Sequence, residues 1–177
     1  MLDKPMKDTV SSPPEAGRPA LTRDVFFADM IGELAGALEE VIGLEDASGF
    51  VAMVGNRIGD DLSQLYALSP DFPNDTPEDI ARICVDLKEK ISGTFTVEEV
   101  SEDGVVFSNC DCPFGKRVEG RPSLCMMTTN VFGRIAANAT GYARVHVAES
   151  IAAGHSRCRV TLGLKPDDSA NGHEFFR

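Results

Sequence analysis

The chain has 177 residues, of which 42% are hydrophobic and 25% are charged, a composition typical of one soluble globular domain. The formal net charge of −11 argues against direct binding to nucleic acid or to an anionic membrane surface, because both need clustered Lys and Arg side chains. The sequence has no apolar run long enough to span a bilayer and no export signal, so we expect a cytoplasmic protein without a membrane anchor.

Charge is divided unevenly along the sequence. Residues 21–104 carry 5 basic and 19 acidic side chains, whereas residues 105–165 carry 8 basic and 3 acidic ones. Faces that complement each other within the fold or across a dimer would explain this division. The alternative is an anionic ligand, for which the candidate partners are Arg117, Arg121, Arg144, Arg157 and Arg159.

The amino-terminal part of the sequence predicts a disordered segment followed by a helix. Residues 1–20 contain four of the ten prolines and few large apolar side chains, which is typical of disorder. Thr22 is a candidate N-cap, and apolar side chains then recur at helical spacing, so we predict a first helix over residues 23–42. The broad apolar face of this helix suggests a homodimer contact.

Two further helices are predicted in the first half of the chain. Ser48 is a candidate cap for the second helix, in which Gly55 and Gly59 lie about one turn apart. Because glycine weakens a helix interior, this pair indicates a close contact with a neighbouring helix. Thr76 and Pro77 are typical of a helix start, so they predict the beginning of a third helix.

The apolar period then changes from 3.6 to 2, which indicates strands. We predict two strands over residues 94–100 and 105–109, joined by a tight turn. A fourth helix is predicted to begin at Pro122. A second pair of strands is predicted over residues 142–149 and 158–164.

These elements predict an α+β fold with the order ααα-ββ-α-ββ, in which the amino-terminal helices pack on an antiparallel sheet. A single domain is predicted over residues 21–166, with a helical part over 21–92 and a ββαββ part over 93–166. The polar residues 167–177 are predicted to form a flexible tail.

The cysteines are the strongest functional signal in the sequence. Cys84 lies on the apolar face of the third predicted helix, which is typical of a packed core thiol. Cys110 and Cys112 lie two residues apart after a strand, and side chains at this spacing share one side of an extended segment. Cys125 lies near the start of the fourth helix, whose positive end would favour a thiolate. Convergent thiolates bind Zn²⁺ or an iron–sulfur cluster, and the candidate ligands are Cys110, Cys112, Cys125 and Cys158, with His155 in reserve.

Two alternatives to a metal or cluster site remain open. In the first, the cysteines are structural, and a pocket between the sheet and the fourth helix binds an apolar or anionic small molecule. In the second, the chain is a thiol redox sensor built on Cys110, Cys112 and Cys125, or an enzyme with a nucleophilic cysteine. The sequence has no motif of a familiar catalytic class, which favours binding over catalysis.

Three cysteine-containing motifs resemble those of the methanogen output domain family. They are Asn109-Cys-Asp-Cys-Pro-Phe-Gly115, Pro122-Ser-Leu-Cys125 and Ile151-Ala-Ala-Gly-His-Ser-Arg-Cys158-Arg-Val. This family is similar to the 4-vinyl-reductase-like, small-molecule-binding sensor domains of prokaryotic regulators. The resemblance covers about residues 24–164 of the chain.

The resemblance implies a bacterial or archaeal signalling domain whose cysteines bind a metal or a cluster. Cys110 or Cys112, together with Cys125 and Cys158, match the family cysteines. The sequence has no recognisable helix-turn-helix or kinase module, so its output is expected to pass through a partner signalling protein. The residues expected to contact a bound cofactor or small-molecule ligand are Phe114, Arg117, Met127 and Arg144.

Overall fold

The structure, a computed structural model, describes residues 21–74, 76–167 and 170–177. The disordered segment predicted for residues 1–20 lies outside these ranges. Within them, no helix combines the length and the apolar character needed to cross a membrane. Helices precede and cover an antiparallel sheet, so the predicted α+β class is confirmed.

The first helix, α1, extends over Arg23–Ile42, as the apolar spacing predicts. The backbone N–H of Val25 donates a hydrogen bond to the Thr22 side chain at 3.2 Å, so Thr22 is the N-cap. The third helix, α3, extends over Pro77–Lys90 and is capped in the same way by Thr76. These helix starts are set by local hydrogen bonding, which explains why the sequence predicts them well.

The second helix, α2, covers Leu44–Ala67 and begins before the predicted cap, Ser48, which lies inside it. The reason is the conformation of Gly43, whose φ of +85° reverses the chain directly after α1. Glycine adopts this conformation without strain. The acidic first turn, with Glu45 and Asp46, then interacts favourably with the positive end of α2.

The described residues form five strands, all in antiparallel pairs, in the order β1-β2-β4-β3-β5. The fourth helix, α4, covers Cys125–Thr140, lies between the two hairpins along the chain and packs mainly on the sheet at its β3 and β5 side. The strands are β1 (Thr96–Ser101), β2 (Gly104–Asn109), β3 (Tyr142–Glu149), β4 (Cys158–Gly163) and β5 (His173–Phe176).

The flexible tail predicted over residues 167–177 is wrong for its last residues, because β5 pairs with β3 at the sheet edge. Phe175 is buried and lies against α4, where a Cβ added to Gly133 would come within 2.3 Å of its ring. This apolar anchor makes β5 part of the fold, so the domain extends beyond the predicted boundary at residue 166.

The helix-covered face of the sheet contains the main hydrophobic core. Phe107 of β2 and Leu162 of β4 are fully buried there, together with Phe132 of α4. The ring centroids of Phe107 and Phe132 are 5.1 Å apart. Cys84 of α3 is fully buried in the same core, in agreement with its prediction as a packed thiol.

A glycine contact joins α2 to α4, as the spacing of Gly55 and Gly59 predicts. A Cβ at Gly55 would lie 2.9 Å from the Cβ of Asn130, and a Cβ at Gly59 would lie 2.7 Å from the Cβ of Arg134. Both separations are shorter than real side chains allow. The two helices therefore pack this closely because these positions have no side chain.

Ion pairs within the chain join its acidic first half to its basic second half. Arg121 pairs with Glu33 of α1 at 4.0 Å, and Arg159 pairs with Glu98 of β1 at 3.0 Å. Further pairs of the same kind are Arg117 with Asp29, Arg134 with Asp60, and Arg157 with Glu98. This pairing favours complementary faces within the fold as the reason for the uneven charge.

Candidate functional site

An apolar pocket of about 330 Å³ lies between the sheet, α1, α3 and α4. This volume is at the lower end of the range found for small-molecule sites. The loop between β2 and α4 closes one side of the pocket through Pro113 and Phe114. Most of the wall is aliphatic or aromatic, and it includes Phe27, Ile31, Phe95, Met127, Val147 and Val160.

Thiols that are far apart in the sequence meet at this pocket. Cys112 follows β2, Cys125 begins α4, Cys158 begins β4, and all three line the pocket. The Sγ of Cys158 accepts a hydrogen bond from the backbone N–H of Ile151 at 3.5 Å. Across the described ranges, no group of three or more His, Cys, Asp or Glu side chains is placed to hold a metal ion.

The other two predicted ligands lie outside the pocket lining. Cys110 is exposed, because the chain bends as it leaves β2 and the alternation of an extended strand no longer applies. His155 lies in the turn before β4, where its Nδ1 is 3.1 Å from the carbonyl oxygen of Ser150. The structure thus brings together Cys112, Cys125 and Cys158, but not Cys110 or His155.

Burial raises the pKa of Cys112, and it raises the pKa of Cys125 to about 11. The sequence instead led us to expect that the positive end of the fourth helix would favour the Cys125 thiolate. A short 3-10 turn, Pro122–Leu124, precedes α4, and the Cys125 N–H already bonds within it. Desolvation therefore dominates, and both thiols are protonated at neutral pH.

Lys88 is a buried cation in the pocket wall that the sequence analysis missed. Its side chain lies with only 4% of the residue exposed, and its Nζ donates a hydrogen bond to Thr128 Oγ1 at 2.7 Å. The ammonium also lies 5.0 Å from the ring centroid of Phe95 and 5.3 Å from that of Phe132. Within the described part of the chain, no carboxylate pairs with it. The sequence could have indicated that Lys88 is buried, because Lys88 follows Cys84 by one helical turn on the apolar face of α3.

Burial lowers the pKa of Lys88 to about 8, and the neighbouring thiols oppose this effect only in part. The group therefore remains largely protonated at neutral pH despite its desolvation. A buried charge of this kind costs stability unless a partner of opposite charge is present. Groups with such a cost are frequent at functional sites, which makes this pocket the candidate site of the chain.

Asn109, the last residue of β2, places a second hydrogen-bonding side chain in the same wall. Its Oδ1 accepts hydrogen bonds from the Thr94 backbone N–H and from the Thr94 hydroxyl, both at 3.0 Å. These bonds fix the orientation of the amide. Its Nδ2 is then buried without a hydrogen-bond partner among the described atoms. The pocket wall thus contains one cation and one unused donor.

The predicted cofactor-contacting residues divide into two pairs. Phe114 and Met127 line the pocket. Arg117 is held by Asp29 of α1 and does not line it. Arg144 pairs with Glu174 of β5 at 2.7 Å on the other face of the sheet, since alternation along β3 separates it from Val147 in the pocket.

The fold is similar to that of a solved protein domain. It is similar to the crystal structure of the phenol-responsive sensory domain of the transcription activator PoxR with phenol. The TM-score is 0.65 at 16% sequence identity, and the match covers 79% of this chain and 82% of the other. At this level of identity the likeness establishes a common fold.

The family is established independently of that structural likeness. The family model of methanogen output domain 1 matches residues 30–163, so the chain belongs to this family. The family predicted from the cysteine motifs is therefore confirmed. A comparison with curated proteins returned no match.

Proposed function

We propose that this chain is a sensory domain that binds a small, largely apolar molecule and passes the signal to a partner protein. The observation that carries the proposal is the apolar pocket between the sheet, α1, α3 and α4. The phenol-responsive domain named above has the same fold, which supports a ligand of similar size. The family relationship supports a place in a bacterial or archaeal signalling protein, and we expect it to be cytoplasmic.

Signal transfer through α1 is consistent with how this helix packs. Phe27, Ala28 and Ile31 of α1 line the pocket, so a ligand would touch the helix directly. The buried residues of α1 are the small ones, Gly32, Ala35 and Gly36. A helix held by such shallow contacts can change position when the pocket fills. We therefore propose α1 as the element that reports the ligand.

The predicted homodimer and the predicted partner protein stay predictions. Large apolar side chains of α1 and α2 are exposed, which is uncommon unless another molecule covers them. Light scattering on the purified protein tests the dimer. The exposed side chains are Phe26, Met30, Leu34, Phe50, Met53, Val54 and Ile58.

Ligand binding is tested by thermal unfolding and calorimetry with small, uncharged aromatic compounds such as phenol, benzyl alcohol and phenylacetamide. At about 100 times Kd, a ligand of the folded state should stabilise the protein by about 2.7 kcal/mol. Ala28→Phe should abolish this effect by filling the pocket. Ala37→Phe, at an exposed position of α1, is the matched control and should preserve it. No saturable binding by any compound would reject the proposal.

A zinc ion or an iron–sulfur cluster is the second candidate ligand, supported by the three thiols at the pocket. Sulfur ligands of this kind would tie α4 and β4 to the loop after β2. Metal analysis and the absorption spectrum of anaerobically purified protein test this candidate. A metal content below about a third of an equivalent, unchanged in Cys125→Ser, would reject it.

A redox sensor or a cysteine-dependent enzyme needs a reactive thiolate. The raised pKa values of Cys112 and Cys125 do not support one at either position. Alkylation at neutral pH tests this alternative site by site. Fast modification of Cys112 or Cys125 would favour it over the binding function.

A further inference from the structure

The ammonium group of Lys88 has no counter-ion within the described residues, although it is almost fully buried. Its one hydrogen bond goes to the hydroxyl of Thr128, which carries no charge. An ammonium has three donors, so hydrogen-bonding capacity remains unused at the pocket wall. The arginines named as anion partners in the sequence analysis differ from Lys88, because each of them has an acidic partner within the chain.

The nearby thiols do not supply the missing negative charge. Among the described residues, no sulfur accepts a hydrogen bond from Lys88 Nζ, whose one bond goes to Thr128. Burial also raises the pKa of the Cys84 thiol to about 12, so this core thiol is neutral at pH 7. The aromatic rings of Phe95 and Phe132 stabilise the cation only through their quadrupoles, which are weaker partners than a carboxylate.

Asn109 supplies a second hydrogen-bond donor for an anion in this pocket. Its Nδ2 has unused donor capacity, and its orientation is fixed because Oδ1 is held by Thr94. Lys88 and Asn109 line the same pocket from α3 and β2. Asp24 of α1 and Thr128 also line the pocket. The Asp24 side chain, however, is exposed and pairs with Arg23 at 3.4 Å, and Thr128 already accepts a hydrogen bond from Lys88. The buried polar groups with unused hydrogen-bonding capacity in this wall are therefore the two donors.

We propose that the ligand of this pocket is a small apolar carboxylic acid, whose carboxylate is bound by Lys88 and Asn109 and whose apolar body fills the rest of the pocket. This inference rests on the proposed function and names the chemical class of its ligand. The carboxylate receives hydrogen bonds from Lys88 Nζ and Asn109 Nδ2, and charge-assisted bonds of this type are stronger than neutral ones. The pocket volume of about 330 Å³ suits a single aromatic ring or a short aliphatic chain.

Calorimetry with matched acid and amide pairs tests the inference on the full chain at pH 7. The pairs are benzoate with benzamide, phenylacetate with phenylacetamide, and hexanoate with hexanamide. Each amide keeps the shape of its acid but removes the charge. We expect wild type to bind at least one acid about tenfold or more tightly than its amide, and we expect Lys88→Met to erase that preference.

The controls separate charge recognition from folding. Lys90→Met removes an exposed cation from the same helix and should leave the preference unchanged. Asn109→Asp retains a side-chain oxygen for Thr94 but places a negative charge in the wall of the same pocket, so it should weaken binding of the acid and not of the amide. This variant and the wild-type pairs keep the test decisive even if Lys88→Met fails to fold.

Equal binding of acid and amide to wild type would overturn the inference, but the proposed binding of a small molecule in this pocket would be retained. A preference for the acid that persists in Lys88→Met or in Asn109→Asp would overturn it as well. If neither member of any pair binds and the neutral compounds also fail, the proposed function fails together with the inference.

Discussion

The two ends of the helix-covered sheet face are built differently, although the same elements form both. At one end, Phe107 of β2, Phe132 of α4 and Leu162 of β4 fill the core. At the other end, β2 and β4 continue to Asn109 and Cys158, beside a pocket that the fold leaves open. The three residues named at the filled end are apolar, whereas the open end carries a buried cation and an unused donor.

The two ends therefore contribute differently to the stability of the fold. The filled end gains from close packing of apolar side chains. The open end gives up contact area and also bears the desolvation of Lys88. Sites that bind ligands commonly sacrifice stability in this way, since replacing such features tends to stabilise the free protein. The contrast therefore predicts opposite effects of mutation at the two ends.

The largest effect is expected at the filled end. Phe107→Ala removes a fully buried ring and should lower the free energy of unfolding by about 3–5 kcal/mol. Phe27→Ala removes the same side chain from the pocket wall, where Phe27 is half-exposed, and should cost less than about 1 kcal/mol. Urea unfolding of both variants measures the difference. Similar losses for the two would contradict the contrast between the ends.

At the open end, Lys88→Met is expected to stabilise the ligand-free protein. Methionine fills a similar volume without a buried charge, and the lowering of the Lys88 pKa to about 8 corresponds to a gain on the order of 3 kcal/mol when the charge is removed. Urea unfolding at pH 7 measures the change. A loss of stability would show that Thr128 and the aromatic rings already compensate the charge, and the two ends would then be more alike than we infer.

The pH dependence of stability in wild type and in Lys88→Met tests this prediction further. The pKa of Lys88 is lowered to about 8 in the folded state, below the value of about 10.4 for an unfolded lysine. Between these values the unfolded chain holds more protons, so the Lys88 contribution to stability rises with pH. The advantage of Lys88→Met should therefore be full below pH 8 and should shrink as pH approaches about 10.4.

The thiols that act on Lys88 also contribute to this pH dependence. They belong to Cys84, Cys112, Cys125 and Cys158. The raised pKa values of Cys84, Cys112 and Cys125 lower stability above about pH 8.5, because the unfolded chain loses these protons first. This loss occurs in both proteins. Lys88 lowers the pKa of the three thiols, so its removal makes the loss larger in Lys88→Met and shrinks the advantage of the variant in the same direction. A stability difference between wild type and Lys88→Met that does not change with pH would contradict the buried charge of Lys88 as its cause.

Local signals in the sequence predict much of the filled end. The helix starts at Thr22 and Thr76 depend on one side chain and the next few amides, so they can be read without the rest of the chain. The β5 strand could not be predicted in this way. Its few residues follow a polar segment, and they are held by a long-range contact between Phe175 and Gly133.

The open end was predicted only in part, for reasons that are again physical. The meeting of Cys112, Cys125 and Cys158 followed from the motifs that contain them. The position of Cys110 did not, because the bend after β2 depends on a hydrogen bond from the Asp111 N–H to the Thr94 hydroxyl. Lys88 was overlooked because a lysine is rarely buried, and only tertiary packing shows that its acidic partner is missing.

The contact between α2 and α4 extends the filled end and gives the smallest predicted effect. An added methyl at Gly59 would meet Arg134 and Val131 at 2.7 and 3.1 Å, and such overpacking costs about 1–3 kcal/mol. Alanine also favours a helix interior by about 1 kcal/mol over glycine, which offsets part of this cost. Gly59→Ala should therefore lower the free energy of unfolding by about 1 kcal/mol. Gly49→Ala, on the same helix with nothing within 4 Å, should raise it by up to about 1 kcal/mol. Thermal or urea unfolding measures both variants. If Gly59→Ala and Gly49→Ala change the free energy of unfolding in the same direction, the close packing of this end does not extend to α2.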